Sequence, residues 1–340
     1  MSYHHADRGR TPRQQGAALV LAMLVFALCT AIIVAMKGEF TRLYQRSANL
    51  FLGEQAYAYL LGAEELAGLA LLADYDQDRG RETPRDDLEE IWAQPSTPYP
   101  LEEGGWLRGS LQDLQGRFNL NSLVGGNEEE GALTPAQAQF VRLLQALEEP
   151  EVSEQEARMI TAAVADWLDV DRQPGLDGAE DAYYFSRTPA HRTANGPMAS
   201  VSELRAVANV TPEIYTALRP YVTVWPQFPS TLNVNTAPAV VLRSINSDND
   251  LSPLSESDGE SLVNFREEEG FADLDAFFAN PVFDGKRDEI QALRPLLGQQ
   301  SSNFLLQAEV EVADRNMRLY SVLERRERRI TALARASGSL

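Results

Sequence analysis

Sulfur and imidazole chemistry are almost absent from this sequence, which has one cysteine, Cys29, and three histidines in 340 residues. A lone cysteine forms no intrachain disulfide, so cysteine usage leaves the redox compartment open. His4 and His5 stand ahead of the first apolar run, which leaves His191 as the one histidine in the body of the chain. In the loop Pro189-Ala190-His191-Arg192 it reads as a surface or packing side chain rather than a catalytic base. There is no G-x-S-x-G elbow, no H-E-x-x-H pair and no phosphate-cradling glycine loop. Paired acids of the glycosidase kind would need rigid walls and a sugar cleft that a sequence does not display. The chain therefore reads as a non-enzyme.

Positive charge is also scarce: 30 Lys and Arg stand against 50 Asp and Glu, a formal net charge of -20. A field of that sign repels phosphate backbones and anionic headgroups, so divalent cations and basic partners are favoured and nucleic acid is not expected. With 44% hydrophobic, 24% charged and 8% aromatic residues the composition is that of a folded globular chain. Its length suits one large or two smaller folded units.

Long hydrophobic runs are limited to one. From Ala17 to Met36 no residue is charged, and roughly 20 helical residues at 1.5 Å each match a hydrocarbon core of about 30 Å. Arg8, Arg10 and Arg13 precede the run, so the positive-inside bias holds the N-terminus in the cytoplasm and sends the rest across the inner membrane. A secretory signal peptide would close on a small-residue cleavage site, which Val34, Ala35 and Met36 do not provide. A lipidated Cys29 would need a small residue before it, and Leu28 is bulky. A plain membrane anchor remains an alternative. The junction Gln14-Gln15-Gly16-Ala17-Ala18-Leu19-Val20-Leu21 resembles a type IV prepilin leader, in which the peptidase cuts after the glycine, here between Gly16 and Ala17. The fifth mature residue would then be Leu21, where most pilins and pseudopilins carry a glutamate that pairs with a neighbour's N-terminal amine. A carboxylate inside a bilayer is costly unless paired, so a leucine suits a subunit with no neighbour above it.

Apolar residues at helical spacing from Phe40 to Leu61 predict that the membrane helix continues outward, fading near Asp74. Trp106 to Leu111, turn residues Asp113 to Gly116 and then Arg117 to Asn121 read as a short hairpin with further partners distant in sequence. Alternation from Phe304 to Val312, a turn at Ala313 to Asn316 and an apolar run from Leu319 to Leu323 predict a second hairpin. Between them lies a helical block, with Thr134-Pro135, Ser153 with Glu156, Ser200 with Glu203, and Thr236 before Pro238 as helix starts. Two passages, Val201 to Tyr215 and Leu232 onward, resemble helix-hairpin-helix (SAM-like) units. Such units bring a second reading, a membrane-anchored DNA-binding or uptake protein. The hairpin Ala208-Asn209-Val210 lacks the paired glycines that close phosphate approach needs.

The densest chemistry lies between Asp166 and Asp181, where Asp166, Asp169, Asp171, Asp177, Glu180 and Asp181 surround a loop with Pro174, Gly175 and Gly178. Hard oxygen ligands on a flexible loop suit Ca²⁺, although the spacing is not that of an EF-hand. A solvated acidic loop is the equal alternative from spacing alone.

The ordered set Arg117-Phe118-Asn119-Leu120-Asn121, Asp166-Trp167-Leu168-Asp169-Val170-Asp171, Gly178-Ala179-Glu180-Asp181, Asn195-Gly196-Pro197, Ser200 to Leu204 and Leu232 to Ala237, together with the Gly16 junction, closely resembles the minor pseudopilin K family of type II secretion systems. The resemblance covers the chain from Gln14 to about Leu323 and shares the missing glutamate at Leu21. It implies an α+β fold: a long transmembrane and amphipathic N-terminal helix, then a pilin-like antiparallel sheet body interrupted by a large α-helical domain. The corresponding boundaries are a leader at 1–16, a transmembrane helix at 17–37, a body at 38–130 and 298–335, and a helical domain at 131–297. It further implies processing by prepilin peptidase, N-terminal methylation and a periplasmic soluble part. The implied position is the pseudopilus tip, with minor pseudopilins I and J as partners. The major pseudopilin filament, secreted substrates and the outer-membrane secretin are further candidate partners. Finally it implies structural Ca²⁺, for which the matching positions are Asp169, Asp171, Glu180 and Asp181, with Asp166 and Asp177 in reserve.

Overall fold

The computed structural model describes residues 15–102, 104–125, 132–247 and 250–338. The predicted leader therefore lies outside the described residues, apart from its last two positions. The chain divides into two units, 1–57 and 58–340.

In the first unit the expected helix is present. Helix α1 runs from Gln15 to Asp78, four residues beyond the predicted fade at Asp74. No proline interrupts it. Side chains from Leu19 to Met36 are exposed, as a lipid-facing helix requires, and the Thr30 hydroxyl donates to the Phe26 carbonyl oxygen at 2.8 Å, so no polar group of that side chain is left open.

In the second unit the remainder of α1 buries Leu60, Ala63, Ala67 and Leu71, residues three or four apart on one face. Strands β1 (Tyr99–Pro100) and β2 (Trp106–Asp113) follow, then β3 (Phe118–Asn119) and helices α2 (Pro135–Gln145), α3 (Glu154–Leu168), α4 (Asp181–Phe185) and α5 (Pro212–Leu218). After β4 (Val222–Thr223) and β5 (Leu232–Asn233) come α6 (Ala239–Leu242), α7 (Glu256–Glu268), α8 (Leu274–Phe278) and α9 (Arg287–Ile290). The chain closes with β6 (Leu297–Gly298), β7 (Asn303–Val312), β8 (Arg315–Arg326) and β9 (Arg329–Ala336).

The main sheet is antiparallel in the order β1-β2-β7-β8-β9. The predicted hairpin at 304–323 is present as β7 and β8, turned by Ala313 and Asp314 with φ of 49° and 60°, two left-handed residues in succession as a tight hairpin turn needs. The predicted hairpin at 106–121 is not formed. Strand β2 pairs with β7, opposing Trp106 to Glu311 and Asp113 to Phe304, while β3 pairs in parallel with β4. The reason is burial: Phe118, Leu120 and Leu123 enter the large core built by the helices, beside Phe140, Leu144 and Val222, so the chain leaves the sheet after Leu114.

Capping boxes close the starts of α2 at Thr134 and Gln137 and of α3 at Ser153 and Glu156, as expected. Ser200 and Glu203 also form a capping box, but of a 3₁₀ turn at Val201–Ala206 rather than an α-helix. Thr236 does not cap α6. Its hydroxyl bonds the buried Asp113 carboxylate instead, and Pro238 takes the cap position without a side-chain bond. The first helix-hairpin-helix-like passage consists of that 3₁₀ turn, a turn at Asn209 with φ of 64°, and α5. The second consists of β5 followed by α6 and α7.

Asparagines join the segments. Asn119 donates to the carbonyl oxygens of Pro226 and Phe228 at 2.9 and 3.0 Å, and Asn121 to those of Val224 and Met198 at 2.9 and 3.2 Å. Asn233 donates to the Asp86 carbonyl oxygen, the Asp113 carboxylate and the Ser301 hydroxyl. The two asparagine-rich motifs thus serve buried backbone that has no ladder partner. Arg142, fully buried on α2, does the same for the Ser244, Ser247 and Asp250 carbonyl oxygens.

Candidate cation-binding loop and family membership

Helix α3 ends where its apolar spacing ends, and Asp169 adopts extended backbone as its C-terminal cap. One turn earlier, Asp166 is buried and accepts from the Gly175 N–H at 3.3 Å. Burial pushes its carboxyl up to about 6, with the Gly175 and Ala179 N–H groups pulling the other way. The return of the loop over this side chain sets a demand at Gly178, where an added Cβ would lie 2.0 Å from Asp166 Oδ2. Glycine permits that close approach. Asp177, at φ of 64°, makes the turn that precedes it.

Beyond this return the loop doubles on itself through short-range bonds. Asp169 Oδ1 accepts from the Asp171 N–H at 3.1 Å, Asp171 Oδ1 accepts from the Gln173 N–H at 2.8 Å, and the Asn195 side chain donates to the Asp171 carbonyl oxygen. Glu180 caps α4. Its Oε2 accepts from the Thr193 hydroxyl at 2.9 Å and the Asp181 N–H at 3.1 Å. Its Oε1 is buried and has no hydrogen-bond partner.

One carboxylate oxygen from each of Asp169, Asp171 and Glu180 lies within 4.8 Å of the others. Of the four residues singled out for Ca²⁺, these three are brought together. Asp181 is turned elsewhere: its Oδ1 accepts from the N–H and hydroxyl of Thr193, both at 3.2 Å. Asp166 is occupied by Gly175. At 4.8 Å two like charges repel by about 1 kcal/mol in water and about 3 kcal/mol at an effective dielectric constant of 20. A glutamate with one buried oxygen lacking a donor, in a group with two further carboxylates, suits a hard divalent cation, and an oxygen-only donor set favours Ca²⁺ over a transition metal.

A second acidic group was not anticipated from sequence: Asp74, Asp86 and Glu90, all buried, also converge within 4.8 Å. This one already holds a cation. Arg325 from β8 donates to Asp74 at 2.8 Å, to Asp86, and to the Ser301 carbonyl oxygen at 3.0 Å, with its guanidinium 5.0 Å from the Phe304 ring centre. Burial pushes Asp86 up to about 7, the pull of Arg325 offsetting part of that, and burial pushes Glu90 up to about 8. Nearby, Arg335 of β9 grips Glu64 of α1 through two bonds of 2.9 and 2.7 Å, and the Ser321 hydroxyl adds a third at 2.6 Å. The sequence signal for Asp74 and Glu64 was their place on the apolar face of α1, at the spacing of Leu60, Ala67 and Leu71, whereas Asp86 and Glu90 follow the helix and carry no such signal. His191 sits between the rings of Tyr184 and Trp167, 4.9 and 6.2 Å between ring centres, a packing position as expected.

A membrane-length apolar helix at the N-terminal end, an antiparallel sheet and a block of helices together define an α+β protein with one candidate membrane span. Comparison specifies the family. Family models described as type II secretion system (T2SS), protein K match residues 116–227 and 232–298. The type II secretion system protein K of Klebsiella pneumoniae is 32% identical over 330 residues, covering 96% of this chain and 97% of that protein. The protein K of Pseudomonas aeruginosa is 34% identical over 338 residues, covering 96% and 93%. A chain of the crystal structure of the GspK-GspI-GspJ complex from the enterotoxigenic Escherichia coli type 2 secretion system superposes with a TM-score of 0.73 at 26% identity, over 87% of this chain and all of that one. The chain belongs to the type II secretion system protein K family.

Proposed function

We propose that this protein is the minor pseudopilin that caps the tip of a type II secretion pseudopilus, bound to pseudopilins I and J, and that its role is mechanical rather than catalytic. The observation that carries the reading is the match over nearly the whole chain to protein K relatives, together with the fold shared with a chain of a K-I-J complex. In this reading prepilin peptidase cuts between Gly16 and Ala17, α1 holds the precursor in the inner membrane with the soluble part periplasmic, and extraction of the helix accompanies assembly. The body is 38–130 with 298–335, and the helical domain is 131–297. That domain is too bulky to stack repeatedly in a thin filament, which suits a cap. Leu21 in place of a glutamate suits a subunit with no neighbour above it.

Ca²⁺ would be held by Asp169, Asp171 and Glu180, with Asp181 in reach only if Thr193 releases it. The bound ion would neutralise the cluster and fix the turn between α3 and α4. The processing step is tested by mass analysis of the N-terminus after expression with and without prepilin peptidase. A mature chain beginning at Ala17 only with the peptidase present supports the reading, and an uncut chain in both returns the protein to a plain anchor.

A further inference from the structure

In a chain of net charge -20, one open cleft in the helical block is lined by Arg187, Arg205 and His191 and by no acidic residue. One wall is the segment after α4, and the other is the turn from Ala206 to Thr211 that hinges at Asn209, φ 64°. Its floor is fixed: Tyr184 is buried, and its hydroxyl accepts from the Ala208 N–H at 3.1 Å. His191 is held with its two ring nitrogens facing the Pro189 and Ala206 carbonyl oxygens, at 3.2 and 3.3 Å.

The two arginines are presented rather than consumed. Arg187 lies over the Tyr183 ring, 4.6 Å from its centre, and donates to the Tyr183 hydroxyl. Arg205 lies over the Tyr215 ring at 5.8 Å. Neither makes an ion pair among the described residues, whereas Arg81, Arg85, Arg108, Arg158, Arg318 and Arg325 each do. Glu180 and Asp181, at the other end of α4, are turned to Thr193. A guanidinium stacked on an aromatic face loses rotamer freedom and keeps N–H edges for in-plane, bidentate contact with a carboxylate.

We propose that this cleft is a docking site for an acidic segment of a protein partner, its carboxylates seated between Arg187 and Arg205 and its backbone lying against the tyrosines. Two arginines suit a short run of carboxylates. They are too few to hold a long polyanion against the charge of the whole chain, so the cleft favours a peptide over nucleic acid. The site is separate from the Ca²⁺ cluster, and its test holds Ca²⁺ constant.

The test is fluorescence anisotropy with the full chain in detergent, using a labelled decapeptide of alternating Glu and Asp as probe and a Lys decapeptide and a 12-nucleotide single-stranded DNA for comparison. The acidic peptide is expected to bind saturably, to weaken at least tenfold in the double variant R187Q/R205Q, and to weaken less than twofold in R326Q/R328Q, which removes two exposed arginines from the end of the β8–β9 hairpin. Melting curves identify any variant that has lost its fold, and the single substitutions then carry the comparison. Equal binding by R187Q/R205Q and the parent, no binding of the acidic peptide, or tighter binding of the DNA would each overturn the proposal.

Discussion

Replacing Arg325 by methionine removes the cation that Asp74 and Asp86 share and leaves those two side chains, 3% and 1% exposed, near each other and near Glu90, which keeps Arg81 at 3.0 Å. Breaking a buried pair on one side costs about 3–5 kcal/mol. For a domain of this size 1 kcal/mol moves the melting temperature by about 2–4 °C, so a loss of about 10 °C is expected at pH 8. The loss should shrink in acid. Burial holds Asp86 up at about 7 even with Arg325 present, so the folded state binds its proton more tightly than the unfolded state does. A group raised in this way adds stability below its unfolded value and loses it as pH rises toward about 7. Without the arginine the carboxyl is pushed higher still, so at pH 5.5 Asp86 carries its proton in both proteins and the loss of Arg325 costs less than at pH 8. Melting curves of both proteins by circular dichroism at pH 8 and pH 5.5 check this. The same deficit at both pH values, or one under 2 °C at pH 8, would refute the reasoning.

Three further outcomes are expected. Glu64 is held below the usual carboxylate range by its bonds to Arg335, against the effect of burial. Its contribution is therefore present above the unfolded value and lost as pH falls through the folded one; because Arg335 is half-exposed, Glu64→Gln should cost only about 1 kcal/mol, read in urea melts at pH 7 and shrinking as the pH is lowered below the ordinary glutamate range. Chelation by EGTA should lower the melting temperature of the parent by several degrees and leave Glu180→Gln unmoved, and identical curves with and without chelator would remove Ca²⁺ from the account. Leu21→Glu should weaken incorporation into the tip and reduce secretion in a complementation assay, whereas normal secretion would remove the reason given for leucine there.

What could be read from the sequence was what local chemistry decides. The unbroken apolar run and the spacing beyond it gave α1, a threonine before a proline gave the start of α2, a serine and a glutamate three residues apart gave that of α3, and alternation up to Val312 with an apolar run beyond the turn gave β7 and β8. The acidic loop was visible as a density of charge, and three of its four proposed ligands converge. Asp181 does not, because Thr193, twelve residues on, offers its carboxylate two donors. The failures share that cause. The segment from Arg117 looked able to turn back on β2, but Phe118 and Leu120 gain more by entering a core whose walls come from residues 140 to 297. Thr236 had the form of a helix cap until Asp113, more than a hundred residues earlier, took its hydroxyl. Arg325 and Arg335 were visible only as charges, since their partners stand on α1 and in the segment just after it, more than 200 positions away.

The tip assignment meets its most direct test when this protein is purified together with its cognate pseudopilins I and J. A stable complex with one copy of each, recovered by size exclusion and lost when any one chain is omitted, is the predicted result. Migration of the chain alone in the presence of both would contradict the tip assignment.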